Sequence, residues 1–206
     1  MAISYPVSLP AALNERQLSI RARSTVEVSA SPFTKEQQVY VFEGEWWEAD
    51  ISLAPMRRAE AEAWLAFLLS LNGREGTFLM GESVNITPRG PGTGTPLVNG
   101  ALQSGKSLLT DGWSNGISGI LKAGDWFQLG SGATSRLHKM TVDASSNGSG
   151  QATLDFWPRL RLPYADNAPL TLNAPKTTWR LTSNDMEWSI GLAQLYGINF
   201  SAIEAL

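Results

Sequence analysis

The chain contains no cysteine and a single histidine, His138, among its 206 residues. The absence of cysteine excludes a disulfide framework, a thiolate zinc site and a cysteine nucleophile, and it fits folding in a reducing cytoplasm. A catalytic triad or metal site built on histidine would have to use His138, for which the spacing suggests no partner. We therefore expect a structural or surface role for His138, no catalytic residues, no metal and no cofactor.

Charge and long apolar runs are scarce as well. Charged residues make up 17% of the chain against 43% hydrophobic residues, and the net charge is −3. That balance is typical of a folded chain, and it lacks the positive charge by which proteins bind nucleic acid. No apolar run approaches the roughly 20 residues of a membrane span, and the opening MAISYPVSLP does not have the pattern of a signal peptide. We therefore expect neither nucleic-acid binding nor a membrane span.

Turn-forming and aromatic residues are abundant, with 19 glycines, 11 prolines and eight tryptophans. This combination indicates short strands joined by tight turns. Alternating apolar residues predict a strand over residues 17–29. Residues 38–53 are predicted to form a hairpin that turns at Glu43-Gly44-Glu45. Its first strand contains the apolar run Val39–Phe42, which we expect to be buried on both faces.

One amphipathic helix is predicted over about residues 55–71, where apolar residues recur at helical spacing. Pro55 suits the first helical position, and Asn72-Gly73 suits a left-handed stop. The apolar positions that define the buried face of this helix are Ala61, Trp64, Leu65, Leu68 and Leu71.

Four residues are candidates for a subunit interface: Trp46, Trp47, Arg57 and Arg58. Adjacent strand residues point to opposite faces, so one tryptophan can be buried while the other is exposed, and interfaces are rich in tryptophan. The two arginines lie in the first turn of the predicted helix, where the helix dipole disfavours positive charge.

The composition of the sequence changes after residue 86. Residues 87–96 are too rich in glycine and proline for the interior of a helix or strand. Residues 97–172 contain short strand candidates, including a hairpin formed by residues 136–142 and 151–157. The chain then returns to the longer alternating strands of its first part.

These patterns predict a mainly β fold with one amphipathic helix. Residues 1–86 plus 175–206 are expected to form a discontinuous β-sandwich domain, because similar alternating strands occur at both ends of the chain. Residues 87–174 are expected to form a small β-barrel that is inserted into that domain.

The segment Gly100–Ser107 matches the phosphate-binding loop pattern G-x-x-x-x-G-K-[ST]. That loop needs a buried strand before it and a helix of several turns after it, whose N-terminus and backbone amides hold the phosphates. Here a Gly/Pro-rich segment precedes the match, and the turn signals Asp111-Gly112 and Asn115-Gly116 follow it closely. We interpret the match as a polar turn of the barrel and not as a nucleotide site.

Two other functions stay open at this point. A carbohydrate-binding module that contacts a host surface would use an exposed tryptophan for stacking. A glycan hydrolase would use a pair of carboxylates, whose separation is spatial and is not given by sequence spacing. The acidic residues considered for such a pair are Glu43, Glu45, Glu48, Asp50, Asp125 and Asp155.

The layout of the chain resembles that of the distal tail proteins of long-tailed bacteriophages and related gene transfer agents. The resemblance is carried by a helix ending in LLSLNGREGTFLMGE (residues 68–82), an inserted segment and a C-terminal return to the first domain. Within the insert, LVNGALQSGKSLLTDGW (97–113), GILKAGDWFQLG (119–130) and LDFWPRLR (154–161) look like a segment common in phage tail proteins. The resemblance covers essentially the whole chain.

What the resemblance implies is a structural, non-enzymatic role in a virion. Proteins of that family form a hexameric ring that joins the tail tube to the tip hub. The implied partners are further copies of the chain, the tail tube protein and the tail hub or tip proteins. The resemblance also implies that the first domain is tube-like and that the insert is an OB-like or lectin-like barrel on the outside of the ring. The family has no catalytic residues to carry over, and its location is the phage tail tip, after assembly in the host cytoplasm.

Overall fold

A computed structural model describes residues 3–11 and 13–206. The predicted domain boundary at residue 1, and the first two residues of the segment tested for a signal peptide, lie outside the described residues. One α-helix is described, α1 (Arg58–Ser70), and no described helix has the length and apolar character needed to cross a membrane. The strands are β1 (Val7–Ser8), β2 (Glu15–Ala30), β3 (Gln37–Leu53), β4 (Thr77–Met80), β5 (Gly94–Val98), β6 (Gly105–Trp113), β7 (Trp126–Leu129), β8 (Arg136–Met140), β9 (Ala152–Leu160), β10 (Leu170–Thr171), β11 (Thr177–Leu181), β12 (Trp188–Ile190) and β13 (Tyr196–Glu204).

The first of the two sheets has seven strands, which come from both ends of the chain. Its strand order is β1-β4-β11-β13-β3-β2, with β12 paired to β13 beside this path. The pairing of β1 with β4 is parallel and the other pairings are antiparallel, so the sheet is mixed. Strands β11 and β13, which follow the insert, lie in the middle of the sheet between β4 and β3. The prediction of a mainly β fold with one helix is confirmed.

The second sheet curls into a nearly closed antiparallel barrel of six strands, in the order β10-β7-β8-β9-β6-β5. A bridge between Leu97 and Pro169 brings β5 beside β10 and narrows the gap between the two edges. The predicted hairpin of the insert is present, since Met140 on β8 pairs with Phe156 on β9. The barrel has its own apolar core, so the small barrel that the sequence predicts is confirmed.

Helix α1 covers one face of the first sheet. The five apolar residues that were predicted to define its buried face are all buried. Phe67 of the helix meets Phe78 of β4 edge to face, with ring centroids 5.6 Å apart. Phe78 in turn lies 6.3 Å from the ring of Phe200 on β13. These contacts join the helix to both halves of the discontinuous sheet.

The two ends of the helix differ in how well they were predicted. The expected start at Pro55 is wrong, because Met56 pairs with Tyr196 through two backbone hydrogen bonds. That pairing keeps the chain extended, and the helix begins only at Arg58. The predicted stop is confirmed, since the residues of Asn72-Gly73 have φ angles of 50° and 62°.

The hairpin predicted within residues 38–53 is wrong. Strand β3 continues without a turn through Glu43-Gly44-Glu45, and it is 17 residues long. Its partner is the 16-residue strand β2, so the hairpin is formed by the two strands as wholes. Residues 31–36 form the turn between them.

Gly44 belongs to a bulge rather than to a turn. The register of β2 against β3 shifts between Ser24 and Val26, and Gly44 lies opposite this shift. A Cβ atom on Gly44 would lie 2.6 Å from the side-chain oxygen of Thr25. Glycine therefore permits the close approach of the two strands at the bulge.

Gly81 tests the packing at the point where the chain leaves the first sheet. A Cβ atom on Gly81 would collide with the carbonyl oxygen of Pro175, on the segment by which the chain returns. We expect Gly81→Ala to lower the free energy of unfolding by about 1–3 kcal/mol, because backbone on both sides must shift. Urea denaturation followed by tryptophan fluorescence measures this loss.

Gly148→Ala is the matched control, because no described atom lies within 4 Å of the position of its Cβ. Its stability is expected to equal or slightly exceed that of the parent chain, since alanine restricts the unfolded state. Equal stabilities of the two variants would contradict the packing described for Gly81.

Candidate docking surfaces and the junction between sheet and barrel

The outer part of the β2–β3 hairpin projects from the first sheet as a two-stranded ribbon. We call residues 25–43 the arm. Every residue of its two strands, 25–30 and 37–43, is exposed. The prediction that Val39–Phe42 is buried on both faces is therefore wrong for the single chain. Phe33, in the turn of the arm, is 93% exposed.

One face of the arm carries four valines. The register pairs Val26 with Val41 and Val28 with Val39, and paired residues share a face. These valines are between 46% and 72% exposed. Val39 and Val41 on β3 are odd-numbered, as are the buried residues of β3 between positions 45 and 53, so they point to the same side of the strand. The core-facing side of the sheet thus continues into solvent as the valine face.

The opposite face of the arm is also partly apolar. Tyr40 is 49% exposed and Phe42 is 55% exposed. A two-stranded ribbon without a covering layer is marginally stable in water. Contiguous exposed apolar surface of this kind marks a site of interaction with another molecule. The arm therefore has the properties of a docking surface.

Trp47 connects the sheet to the barrel. Its indole N–H donates to the carbonyl oxygen of Leu137 on β8 at 3.0 Å. Its ring lies 4.8 Å from that of Trp126 and 4.4 Å from that of Trp157, both on barrel strands. Trp47 itself is only 5% exposed. The three rings form an apolar contact that fixes the barrel against β3.

Charged groups surround this contact, with the acids on the sheet and the bases on the barrel. Glu45 on β3 accepts a hydrogen bond from the backbone N–H of Arg159 at 2.8 Å and pairs with Lys106 Nζ at 2.6 Å. Glu43, at the base of the arm, pairs with the guanidinium of Arg159. Strands β6 and β9 of the barrel therefore hold the base of the arm.

Glu204 forms the buried part of the same junction. Its carboxylate accepts hydrogen bonds from Arg161 Nη2 at 2.8 Å, from the Thr177 hydroxyl at 3.0 Å and from the backbone N–H of Trp47 at 3.2 Å. Its side chain is fully buried, and that of Arg161 is 14% exposed. Burial lowers the pKa of the neighbouring Arg136, and the charge of Glu204 opposes that change. The acid thus links β13, β11, β3 and the residue that follows β9.

His138 lies inside the barrel core. Its Nδ1 is 2.8 Å from the carbonyl oxygen of Pro158, so the neutral ring that carries its hydrogen on Nδ1 donates to this oxygen. Its ring stacks on Phe127 at 5.3 Å and meets Phe156 edge to face at 4.8 Å. Burial lowers the pKa of His138 to about 3. The imidazole is therefore neutral at pH 7 and packs as a core side chain.

The segment that matches a phosphate-binding loop does not have the surroundings of one. Gly105 begins strand β6, so the residues that would open a helix in such a loop are in a strand. Lys106, which would contact a phosphate, pairs with Glu45 across the junction. The interpretation of the match as a turn leading into a barrel strand agrees with this geometry.

The two candidate interface tryptophans have different surroundings. Trp47 is buried in the junction within one chain, so it does not face a neighbour. Trp46, on the other face of β3, is partly buried, and its indole N–H donates to Glu48 at 3.1 Å. Of the pair, Trp46 is the one placed to contact another subunit, and that role stays a prediction.

The two candidate arginines lie at the start of α1 and away from the junction. Arg57 is the N-cap residue and is exposed. Arg58 pairs with Glu62 one turn along the helix at 3.0 Å, with both side chains mostly in solvent. Their role in an interface also stays a prediction. The sequence patterns did not predict an exposed arm, although its alternating valines are visible in the sequence.

The carboxylates considered for glycan hydrolysis are held in structural contacts, apart from the exposed Asp155. Burial raises the pKa of Asp125, but hydrogen bonds from the backbone N–H groups of Lys122, Arg89 and Gly90 outweigh burial and hold it below its ordinary value. The ion-pair partners of the others are Arg159 for Glu43, Lys106 for Glu45, Arg21 and Arg23 for Glu48, and Arg21 for Asp50.

Comparison with known proteins assigns no family to the chain. No protein-family model matches it, and no curated protein matches it significantly.

His138 predicts a pH dependence of stability. Its pKa is about 3 in the folded chain and about 6.5 when unfolded. The unfolded chain therefore binds the proton first, and stability present above pH 6.5 is lost as the pH falls towards 3. Urea denaturation is expected to show a loss of about 2 kcal/mol between pH 7.5 and pH 5.

His138→Gln is the matched variant, since its amide can still donate to Pro158 while it does not titrate. Its stability is expected to change little between pH 7.5 and pH 5, even if it is lower overall. An equal pH dependence of the two proteins would show that His138 is not the titrating group.

Glu204→Gln tests the buried junction. The change leaves the charge of Arg161 buried without its carboxylate, so we expect the free energy of unfolding to fall by about 3–5 kcal/mol. Glu62→Gln is the control, because it breaks the exposed pair with Arg58 and should cost about 0.5 kcal/mol or less. Chemical denaturation compares the two, and similar losses would argue against a structural role of the Glu204 network.

Proposed function

We propose that this chain is a structural subunit of a phage tail tip, and that copies of it form a ring between the tail tube and the tip hub. Its work is done through interfaces and not through catalysis, and it acts in the virion after assembly in the host cytoplasm. The resemblance to distal tail proteins supports this proposal, and it implies a ring of six copies.

The single observation that carries the proposal is the arm. Four valines continue the core-facing side of the sheet beyond the core of the chain, and each is about half exposed or more. Burial of such a surface is favourable by roughly 25 cal/mol per Å² of apolar area. A ring subunit has a neighbour available to cover this surface, whereas a free monomer leaves it in water.

The edge of the first sheet supports the same function. Strand β2 is 16 residues long and is the last strand in the order of the sheet. An exposed edge strand of this length presents unpaired backbone groups that promote pairing with another chain. Rings that close by rotation use such repeated contacts between different surfaces of identical subunits.

The test is self-association of the purified chain, measured by native mass spectrometry and negative-stain microscopy. We expect ring-shaped oligomers for the parent chain. Val39→Glu with Val41→Glu should weaken self-association at least about 100-fold, because burying two carboxylates removes more than about 2.8 kcal/mol of binding free energy. Both positions are exposed in the monomer, so the fold itself should tolerate the change.

Val84→Glu with Val142→Glu is the matched control. These valines are 78% and 49% exposed and lie outside the arm. The control variant is expected to assemble as the parent chain does. A parent chain that stays monomeric at micromolar concentrations, or an arm variant that still forms rings, would count against the proposal.

A further inference from the structure

A second exposed apolar hairpin lies in the C-terminal part of the chain. We call residues 188–195 the tip hairpin, which consists of β12 and the turn that leads into β13. Trp188 is 41% exposed, Ile190 is 58% exposed, and Leu195 is 37% exposed. Leu192, in the turn, is fully exposed at 109%. The described part of the chain thus presents two separate apolar hairpins.

The register places these hairpins at opposite ends of the first sheet. Strand β13 is antiparallel to β3, with Asn199 opposite Ser52 and Ile203 opposite Glu48. The arm continues β3 beyond the Glu48 end of this ladder. The tip hairpin precedes Asn199 and therefore lies beyond the Ser52 end. The two surfaces point away from each other along the strand direction, and neither can cover the other within one chain.

We infer that the arm of one copy docks on the tip hairpin of the next copy. This inference rests on the self-association proposed above and names the surface that receives the arm. Two different apolar surfaces at opposite ends of a subunit form a heterologous contact, which repeats from copy to copy. Such a contact closes into a ring when the rotation between neighbours divides a full turn.

The amount of apolar surface suits a stable contact between two copies. A standard interface buries roughly 800 Å² on each partner. One covered aromatic side chain contributes about 150–250 Å². The arm has three aromatic side chains, Phe33, Tyr40 and Phe42, beside its valines. Tyr40 and Phe42 lie on the face opposite the valines. A neighbour therefore buries an area of the required order when it covers both faces of the ribbon, with Trp188 and Leu192 placed against the valine face.

The absence of cysteine from the chain makes the contact directly testable. Val41→Cys and Leu192→Cys each introduce one thiol, at the valine face and at the tip hairpin. The two variants are mixed, oxidised and analysed by intact mass. We expect a covalent dimer containing one copy of each, at least about tenfold above that formed by Val41→Cys with Leu109→Cys, because docked thiols react as an intramolecular pair. Leu109 is exposed on barrel strand β6 and serves as the collision control, and its change to cysteine gives the same mass as that of Leu192.

The double variant Val41→Cys with Leu192→Cys carries both surfaces on one chain. Oxidation is expected to give a ladder of covalent oligomers that ends at the number of copies in the ring. The apolar nature of the contact predicts that the cross-link forms equally well at 0.5 M NaCl, where exposed ion pairs are largely screened.

Three results would overturn the inference. Efficient cross-linking of Val41→Cys with itself would show that arms pack on arms. Oligomers in native mass spectrometry without a Val41–Leu192 cross-link would refute the arm-to-tip contact while leaving self-association standing. A parent chain that is monomeric throughout, with no cross-link above the collision control, would refute both the contact and the proposed ring.

Discussion

The continuity of strand β3 through Gly44 is the constraint on which the rest of the structure depends. The same strand holds Trp47 in the junction with the barrel and presents Val39 and Val41 to solvent. Because alternate residues of a strand share a face, the register that buries Trp47 also sets the face on which the valines lie. A chain with a true turn at this glycine would have neither the long hairpin nor the exposed surface.

The junction gives this strand a rigid support. Arg159 of the barrel contacts both Glu43 and Glu45, so barrel and arm meet at the point where the hairpin leaves the core. The aromatic contact of Trp47 supplies apolar burial, and the buried Glu204 of β13 accepts hydrogen bonds from β3 and β11 beside it. Removing one partner of a buried ion pair leaves an uncompensated buried charge, so Glu204 and Arg161 have to stay together in the folded chain. The inserted barrel therefore supports the base of the arm through these contacts.

The sequence predicted the class of the fold and the buried face of the helix, because alternation and helical spacing report directly on burial. It did not predict the state of the arm. A run such as Val39–Phe42 has the same pattern whether its own core or a neighbouring molecule covers it. Glu43-Gly44-Glu45 has the composition of a turn, and only the pairing of β2 with β3 reveals a bulge. The junction acids were visible as residues, but their basic partners are 43 to 116 positions away along the chain, so spacing could not join them.

The position of β13 in the sheet has a consequence for the timing of synthesis. This strand lies between β3 and β11, and it is the last described strand to leave the ribosome. The barrel, formed from a continuous middle segment, has all its strands earlier and can fold first as a unit. The sheet acquires its central strand, and with it the tip hairpin, only after all the strands of the barrel have been synthesised. A nascent chain thus exposes its arm before its tip hairpin has formed, so the contact that we propose between copies has to wait for the strands that follow the barrel.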